Sequence, residues 1–192
     1  MLALRKYIER YTKLPEEDWQ IISKAFERKV IDKNQTFVEK GKVCRYFYFL
    51  EEGLVRFYTL IDGNDITKMF TIAPGCFTSK SSLRKQKPAQ ESIETLEKSV
   101  IWQVKFDNLG HLSQVDSWNE FIRKFIYEVD EFAEELLMQV KTETAEERYL
   151  KLTQKYPTVI QKIPLMHLSS FLGIAPQSLS RIRKKLHENR KS

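Results

Sequence analysis

The chain has 192 residues and a formal net charge of +6, and 42% of its residues are hydrophobic. This is enough apolar side chain for a sizeable core, so the composition excludes an intrinsically disordered protein. The positive charge is concentrated at the carboxyl end, where residues 181–192 contain six Lys and Arg against one Glu. Such a local excess predicts an anionic partner for this end of the chain.

Cysteine content and hydropathy exclude further classes. Cys44 and Cys76 are the only cysteines, which excludes a disulfide-rich secreted scaffold, and we expect both to be buried structural thiols. The amino terminus reaches Arg5 without the apolar core of a signal peptide. The longest uncharged run, Ile163 to Ser180, is interrupted by two prolines and a glycine, so it is not a membrane span. We therefore expect a cytoplasmic protein that does not enter the membrane.

The first part of the chain changes from a helical to a strand pattern. The spacing of Leu4, Tyr7 and Tyr11 predicts one helix, and Pro15 followed by three acidic residues predicts the start of another. Between about 30 and 105, short β-branched and aromatic segments alternate with glycines ten to twelve residues apart, which predicts an antiparallel barrel or jelly roll. The predicted strands are Val43–Leu50, Leu54–Leu60, Ile66–Ile72 and Ser99–Val104, with a hairpin turn at Asp62-Gly63.

From about residue 113 to 150 the apolar residues recur with the period of a helix, and neither Gly nor Pro interrupts them. The apolar stripe consists of Phe121, Phe125, Val129, Phe132, Leu136 and Val140. Such a stripe either packs on its own domain or also pairs with a second copy, and we favour a dimer interface. The acidic character of this helix argues against a nucleic-acid surface.

The segment LMHLSSFLGIAPQSLSRIRKKL predicts two short helices, Leu165–Leu172 and Pro176–His187, joined by a turn that begins with Gly173. A basic second helix after such a turn is typical of a helix-turn-helix element. Because Gln can pair with adenine and Arg with guanine, we expect Gln177 and Arg181 to contact bases in the major groove. The other candidate DNA-binding residues are Pro176, Ser178, Ser180, Arg183, Lys184 and Lys185. The alternative is a helical hairpin with a solvated basic face.

In this order, the helix pair, the jelly roll, the long helix and the helix-turn-helix resemble the Crp/Fnr superfamily of bacterial transcription regulators. The phrase FVEKGKVCRYFYFLEEGLVRFY resembles the start of the family's sensor barrel, and IPLMHLSSFLGIAPQSLSRIRKKL resembles its DNA-reading element. The resemblance implies an α+β fold with a double-stranded β-helix (jelly-roll) sensor domain at 1–112, a dimerisation helix at 113–145 and a small helix-turn-helix domain at 146–192. It also implies a non-enzymatic homodimer that binds double-stranded DNA, a small-molecule effector and RNA polymerase.

The sequence departs from the family at its phosphate-binding cassette. Cyclic-nucleotide binders of the family have G-x-F-x-G-E and then an arginine in R-S-A, whereas this chain has GCFTSK ending at Lys80 and then QES from Gln90. A lysine cannot accept a hydrogen bond from a ribose hydroxyl, and a neutral amide cannot balance a phosphate, so we expect no binding of cyclic AMP. The corresponding candidate effector residues are Phe77, Thr78, Ser79, Lys80, Gln90, Glu91 and Ser92. Four basic residues lie close to this stretch in the sequence: Lys80, Arg84, Lys85 and Lys87. They either hold another anion or form a solvated basic loop, and we favour the solvated loop.

Two further expectations concern the carboxyl end and cofactors. The family's recognition helix is usually followed by a two-stranded wing, and here Ser192 follows that helix within a turn or two, so we expect an incomplete wing with Arg190 and Lys191 as substitute phosphate contacts. The three histidines, 111, 167 and 187, fall outside the predicted barrel, which argues against a metal-dependent cupin enzyme, and two cysteines are too few for an iron–sulfur cluster. We expect no metal and no cofactor. The rival functions are a sensor or protein-interaction module of the same fold that has lost specific DNA binding, and a small-molecule-binding protein with a basic tail.

Overall fold

The computed structural model of the chain describes residues 1–189. The helices are α1 (Leu2–Glu9), α2 (Glu16–Ala25), α3 (Lys80–Lys85), α4 (Phe106–Leu112), α5 (Asp116–Thr142), α6 (Ala145–Lys155), α7 (Pro157–Lys162), α8 (Leu165–Leu172) and α9 (Pro176–Asn189). The strands are β1 (Glu27–Ile31), β2 (Thr36–Val38), β3 (Tyr46–Glu52), β4 (Leu54–Ile61), β5 (Asn64–Ile72), β6 (Gly75–Phe77), β7 (Ser92–Thr95) and β8 (Ser99–Lys105). Within this described part, no helix combines the length and the apolar character needed to cross a bilayer.

The strands form two four-stranded sheets, in the orders β1-β8-β3-β6 and β2-β7-β4-β5. In the first sheet β3 is antiparallel to both of its neighbours, so that Phe49 lies opposite Trp102 on one side and Cys76 on the other. Strands that are neighbours in a sheet but distant in sequence are typical of a jelly roll. The predicted α+β fold with an antiparallel jelly roll is confirmed.

The core of the barrel is closed by aromatic side chains from the flanking helices. The ring of Tyr7 in α1 lies 5.3 Å from that of Phe49 and 6.2 Å from that of Phe121 in α5. Phe49 and Phe121 are both fully buried. Full burial of one such side chain contributes about 1.5–3 kcal/mol, so this cluster fixes α1 and the start of α5 on the first sheet.

The hairpin between β4 and β5 has the predicted two-residue turn. Asp62 and Gly63 have φ angles of 50° and 79°, the left-handed conformation that a tight turn between twisted strands requires. Glycine adopts this conformation without steric cost, and aspartate tolerates it better than most residues.

The chain clusters into two compact units. The first comprises Met1–Phe57 and Phe70–Phe132. The second comprises the hairpin tip, Tyr58–Met69, together with the chain from Ala133 onward. The hairpin tip, which the predicted boundaries place in the sensor domain, thus groups with the C-terminal helices.

The apolar period over about 113–150 covers two helices, α5 and α6, which a capping box separates. The hydroxyl of Thr144 accepts a hydrogen bond from the Glu147 N–H at 3.2 Å, and the Glu147 carboxylate accepts one from the Thr144 N–H at 2.8 Å. A Thr-x-x-Glu pair of this kind satisfies the first free N–H groups of a new helix. The break lies beside residue 145, where the dimerisation helix expected over 113–145 ends.

Candidate DNA-binding surface and effector region

The helix-turn-helix is formed by α8, a three-residue turn at 173–175, and α9. Gly173 ends α8 in the left-handed conformation with a φ of 71°. The N–H groups of Gly173 and Ile174 donate to the carbonyls of Ser170 and Ser169, at 3.1 and 3.0 Å. These bonds satisfy carbonyls at the end of α8 and turn the chain sharply into α9.

Leucines hold the two helices together. Leu168 and Leu179 are fully buried, and Leu172 is 1% exposed. These are inward positions that the sequence predicts. Their burial fixes the rotation of α9, and this determines which of its side chains face solvent.

The exposed side chains of α9 follow each other at three- and four-residue intervals. Gln177, Ser180, Arg181 and Lys184 are all exposed, and this spacing places them on one face of the helix. Pro176 and Ser178 are half-buried at its first turn. We refer to Gln177, Ser180, Arg181 and Lys184 as the α9 stripe.

Two basic residues that the sequence groups with the stripe have partners inside the second unit. The guanidinium of Arg183 lies over the ring of Tyr149 at 5.7 Å, and its Nε is buried without a hydrogen-bond partner among residues 1–189. The Lys185 ammonium contacts both carboxylate oxygens of Glu146, at 2.8 and 3.1 Å. The structure thus keeps both side chains near α6. Arg190 and Lys191 lie outside the described residues.

A contact that the sequence does not reveal joins the hairpin tip to α8. The Thr67 N–H donates to the Ser170 hydroxyl oxygen at 2.9 Å, and this hydroxyl donates to the Asp65 carbonyl at 3.0 Å. The bonded residues are 103 and 105 positions apart, so no local pattern could indicate it. We call this arrangement the Ser170 clamp.

The effector residues predicted from the cassette are partly assembled around the segment between β6 and β7. The Ser79 hydroxyl donates to the Glu91 carboxylate at 2.6 Å, and the Thr78 hydroxyl donates to the Tyr46 carbonyl at 2.8 Å. The Ser92 hydroxyl accepts a hydrogen bond from the Lys40 N–H at 3.0 Å. These hydroxyls are therefore engaged with the protein itself.

Three other predicted effector residues do not join that arrangement. The Lys80 ammonium pairs with Asp130 of α5 at 2.8 Å. Phe77 is a core residue whose ring stacks on Tyr48 at 5.0 Å, and Gln90 is exposed. The structure thus brings Ser79 and Glu91 together but does not add Lys80 or Gln90 to them.

The two cysteines of the chain lie in the first unit. Cys44 and Cys76 are both buried free thiols, and burial raises the pKa of the Cys76 thiol well above its ordinary value. A protonated thiol is a poor nucleophile and a poor metal ligand. Across residues 1–189, no three His, Cys, Asp or Glu residues are grouped so that they could hold a metal ion.

The apolar residues of α5 divide into a buried and an exposed set. Phe121 is fully buried, and Phe125 is half-buried against the core of the first unit. Phe132 and Val140 are exposed to 44% and 54%, while Val129 and Leu136 are half-buried. Phe121 therefore acts inside its own unit and is not available to a partner.

The chain is similar to one protein family and to several solved structures. Residues 28–116 match the family model of the cyclic nucleotide-binding domain. FixK2 from Bradyrhizobium japonicum is 19% identical, with a TM-score of 0.70 over 85% of each chain. A protein from Eubacterium rectale, described as a transcriptional regulator of the Crp/Fnr family, is 14% identical with a TM-score of 0.72 over 94% of this chain and 88% of its own. The catabolite activator protein of Thermus thermophilus is 16% identical, with a TM-score of 0.58 over 93% and 86%.

A comparison with curated protein sequences finds no match. At these identities the structural likeness establishes the fold, and it extends over most of each chain. Residues 28–116 thus match the cyclic nucleotide-binding domain, and the chain shares its fold, over most of its length, with the Crp/Fnr regulators.

Proposed function

We propose that this protein is a sequence-specific DNA-binding transcription regulator that acts as a homodimer. The observation that supports this most directly is the α9 stripe, an exposed row of polar and basic side chains on the second helix of the helix-turn-helix. A helix in this position enters the major groove with its amino-terminal half towards the bases. The fold that the chain shares with Crp/Fnr regulators supports the same role.

The α9 stripe divides into two chemical roles. Gln177 and Arg181 lie one turn apart, and their side chains match adenine and guanine as bidentate partners. Within the described chain, the Arg181 guanidinium makes one hydrogen bond, a long 3.4 Å contact with the Ser178 hydroxyl. Breaking this weak bond costs little free energy, so the guanidinium is available to a base. Ser180 and Lys184 are suited to phosphate, which provides affinity without sequence information.

The exposed face of α5 supports the homodimer. Apolar residues recur along α5 at alternating intervals of four and three, the spacing of a two-stranded coiled coil. These residues are Ile122, Ile126, Val129, Ala133, Leu136 and Val140. Ile126 and Val140 are 41% and 54% exposed, and Phe132 and Leu137 beside them are 44% and 55% exposed. A continuous apolar face of this kind indicates a partner, and we propose a second copy of α5.

This interface revises the stripe expected from the sequence. Val129, Phe132, Leu136 and Val140 remain in it, whereas Phe121 and Phe125 pack within the first unit. A two-fold axis along α5 would present two α9 helices to half-sites about 34 Å apart.

We also propose that cyclic AMP is not the effector. Ser79 and Glu91 satisfy each other, and Lys80, which stands where an acidic group would bind the ribose, is paired with Asp130. At the positions of the family's Glu and Arg, the chain therefore has Lys80 and Gln90, which provide neither an acceptor for a ribose hydroxyl nor a cation for the cyclic phosphate at the second position.

The test is a selection of genomic DNA fragments by the purified full chain at moderate salt. We expect enrichment of a two-fold-symmetric site, which Arg181→Ala loses. Arg28→Ala is the matched control, since Arg28 is an exposed arginine of β1 in the first unit. Binding should also weaken steeply as salt rises, because each phosphate contact releases counterions.

Retention of DNA without any shared site, or equal enrichment by Arg181→Ala and the native chain, would overturn sequence-specific reading by α9. The first of these outcomes would favour a sensor or interaction module that has kept the fold alone.

A further inference from the structure

A cleft of about 330 Å³ opens in the first unit, and none of the cassette residues 77–92 line it. Its walls come from β1, β2, the segment 39–45, β3 and Gln103 of β8. Pockets that hold small molecules have volumes of roughly 300–1,000 Å³. The cleft is therefore large enough for a small organic ligand.

Aromatic rings form the apolar part of this cleft. The rings of Phe37 and Tyr48 meet edge to face at 5.5 Å, and the ring of Tyr46 lies 6.0 Å from that of Tyr48. Phe37 and Tyr46 are half-buried, so part of each ring remains accessible. Such a wall favours a flat apolar ligand, because aromatic rings pack well edge to face or offset-stacked.

A buried hydroxyl in the cleft lacks a strong partner. Tyr48 is only 3% exposed. Its polar neighbour is the Cys44 thiol, a weak hydrogen-bonding group, and burial raises the pKa of Tyr48 so that the hydroxyl stays protonated. Binding is favoured for a ligand that accepts a hydrogen bond from a buried donor of this kind.

The charges of the cleft leave one cation available. Lys29 is paired with Glu27 at 2.7 Å, and Lys42 with Glu39 at 2.8 Å. Arg45 is exposed and makes no ion pair with any residue between 1 and 189. A guanidinium presents a planar fork that matches a carboxylate in two hydrogen bonds.

We propose that this cleft binds a small aromatic carboxylate, with its carboxylate on Arg45, its ring against Phe37 and Tyr46, and a polar ring substituent on the Tyr48 hydroxyl. No residue of the α9 stripe lines the cleft, so the proposal holds whether or not the chain binds DNA. The class of ligand follows from three features together: one free guanidinium, aromatic walls and a buried donor.

The experiment is a calorimetric titration of the full chain with 4-hydroxybenzoate. We expect saturable binding of one molecule per chain, and binding weaker by about tenfold or more for the neutral analogue 4-hydroxybenzamide and for acetate, which has no ring. Arg45→Gln should weaken the binding of 4-hydroxybenzoate by about tenfold or more, because it removes the charged partner.

Two further variants separate the site from general effects. Tyr48→Phe keeps the ring and should weaken binding roughly threefold to tenfold by removing one hydrogen bond. Arg28→Gln removes an exposed arginine that does not line the cleft, and it should leave binding unchanged. Circular dichroism verifies that each variant is folded.

Three results would overturn the proposal. They are no saturable binding with a Kd below about 1 mM, equal affinity for 4-hydroxybenzoate and its amide, or the same loss in Arg28→Gln as in Arg45→Gln. Since DNA selection is measured separately, failure here does not count against the proposed regulator, and failure there does not count against the cleft.

Discussion

Arg56 shows how a charged residue is kept inside the second sheet. It is 3% exposed, and its guanidinium contacts the Glu94 carboxylate at 2.5 Å, between β4 and β7. Removing one partner of a buried ion pair costs about 3–5 kcal/mol when the remaining charge has no other partner. Because Arg56 has further contacts, we expect Glu94→Gln to lower the free energy of unfolding by less, about 1–3 kcal/mol, as measured by urea denaturation.

The control for this change is Glu52→Gln, since Glu52 is an exposed carboxylate at the end of β3. A loss of stability in Glu94→Gln no larger than that of the control would contradict the structural role assigned to the pair.

Arg181 and Lys184 lie three residues apart on α9, but we expect their loss to have different effects. Arg181→Ala should relax base preference at one position of each half-site, at a cost of about 1–3 kcal/mol for the preferred base. Lys184→Ala should weaken binding to all sequences alike and reduce the salt dependence by about one phosphate contact. Titration against the selected site and a scrambled site, at several salt concentrations, separates the two effects. Identical behaviour of both variants would contradict the division of roles.

Among the structural elements, the hairpin tip is bonded to α8 by the Ser170 side chain. Because the Thr67 N–H donates to the Ser170 hydroxyl, Ser170→Ala should speed hydrogen exchange of the Thr67 amide. Ser169→Ala is the matched control, since that neighbouring hydroxyl bonds to Met166 within α8. Mass spectrometry of exchange in peptides that cover 58–69 makes the measurement. Equal protection of this segment in both variants would show that the clamp does not hold the tip.

The start of α6 depends on the capping box. Thr144→Ala removes the hydroxyl that accepts the Glu147 N–H, and loss of such a cap costs about 1 kcal/mol. Thermal or urea unfolding should show this decrease, whereas Thr142→Ala should have a smaller effect because the Thr142 hydroxyl only bonds back to the Met138 carbonyl in α5. Unchanged stability in Thr144→Ala would mean that other contacts fix the break between α5 and α6.

How far each element could be predicted depends on whether its signals are local. The bounds of α8 and the start of α9 follow from Gly173 and Pro176, and the hairpin turn follows from Asp62-Gly63. Strand β1 was not predicted, since four of its five residues are exposed and its place comes from pairing with distant β8. The break between α5 and α6 also has a local signal, the Thr-x-x-Glu capping sequence that begins at Thr144.

In the candidate site, too, local sequence signals predict some features and long-range contacts determine the others. The α9 stripe and the leucines beneath it follow from helical period alone, whereas the inward turn of Arg183 depends on Tyr149, thirty-four positions earlier. The Ser170 clamp and the cleft around Tyr48 are assembled from segments distant in sequence, and pattern reasoning from one sequence cannot bring them together.

At the scale of the whole molecule, we expect the oligomeric state to depend on the exposed face of α5. A double variant, Ile126→Glu with Val140→Glu, would place like charges across the proposed two-fold interface and should convert a dimer to a monomer in sedimentation experiments. Both side chains are more than 40% exposed, so the fold of the single chain should persist. Leu2→Glu is the control, with Leu2 in α1 exposed to 66%. A native chain that sediments as a monomer, or a double variant that remains dimeric, would contradict this interface.

The discontinuity of the second unit has a consequence for biosynthesis. The hairpin tip is translated about a hundred residues before Ser170, since Thr67 and Ser170 are 103 positions apart. At roughly 5–20 residues per second, the tip waits about 5–20 s for its partner helix. Throughout the interval, the Thr67 N–H lacks the Ser170 hydroxyl that accepts its hydrogen bond in the finished protein. A nascent chain that stops before α8 therefore lacks the Ser170 clamp.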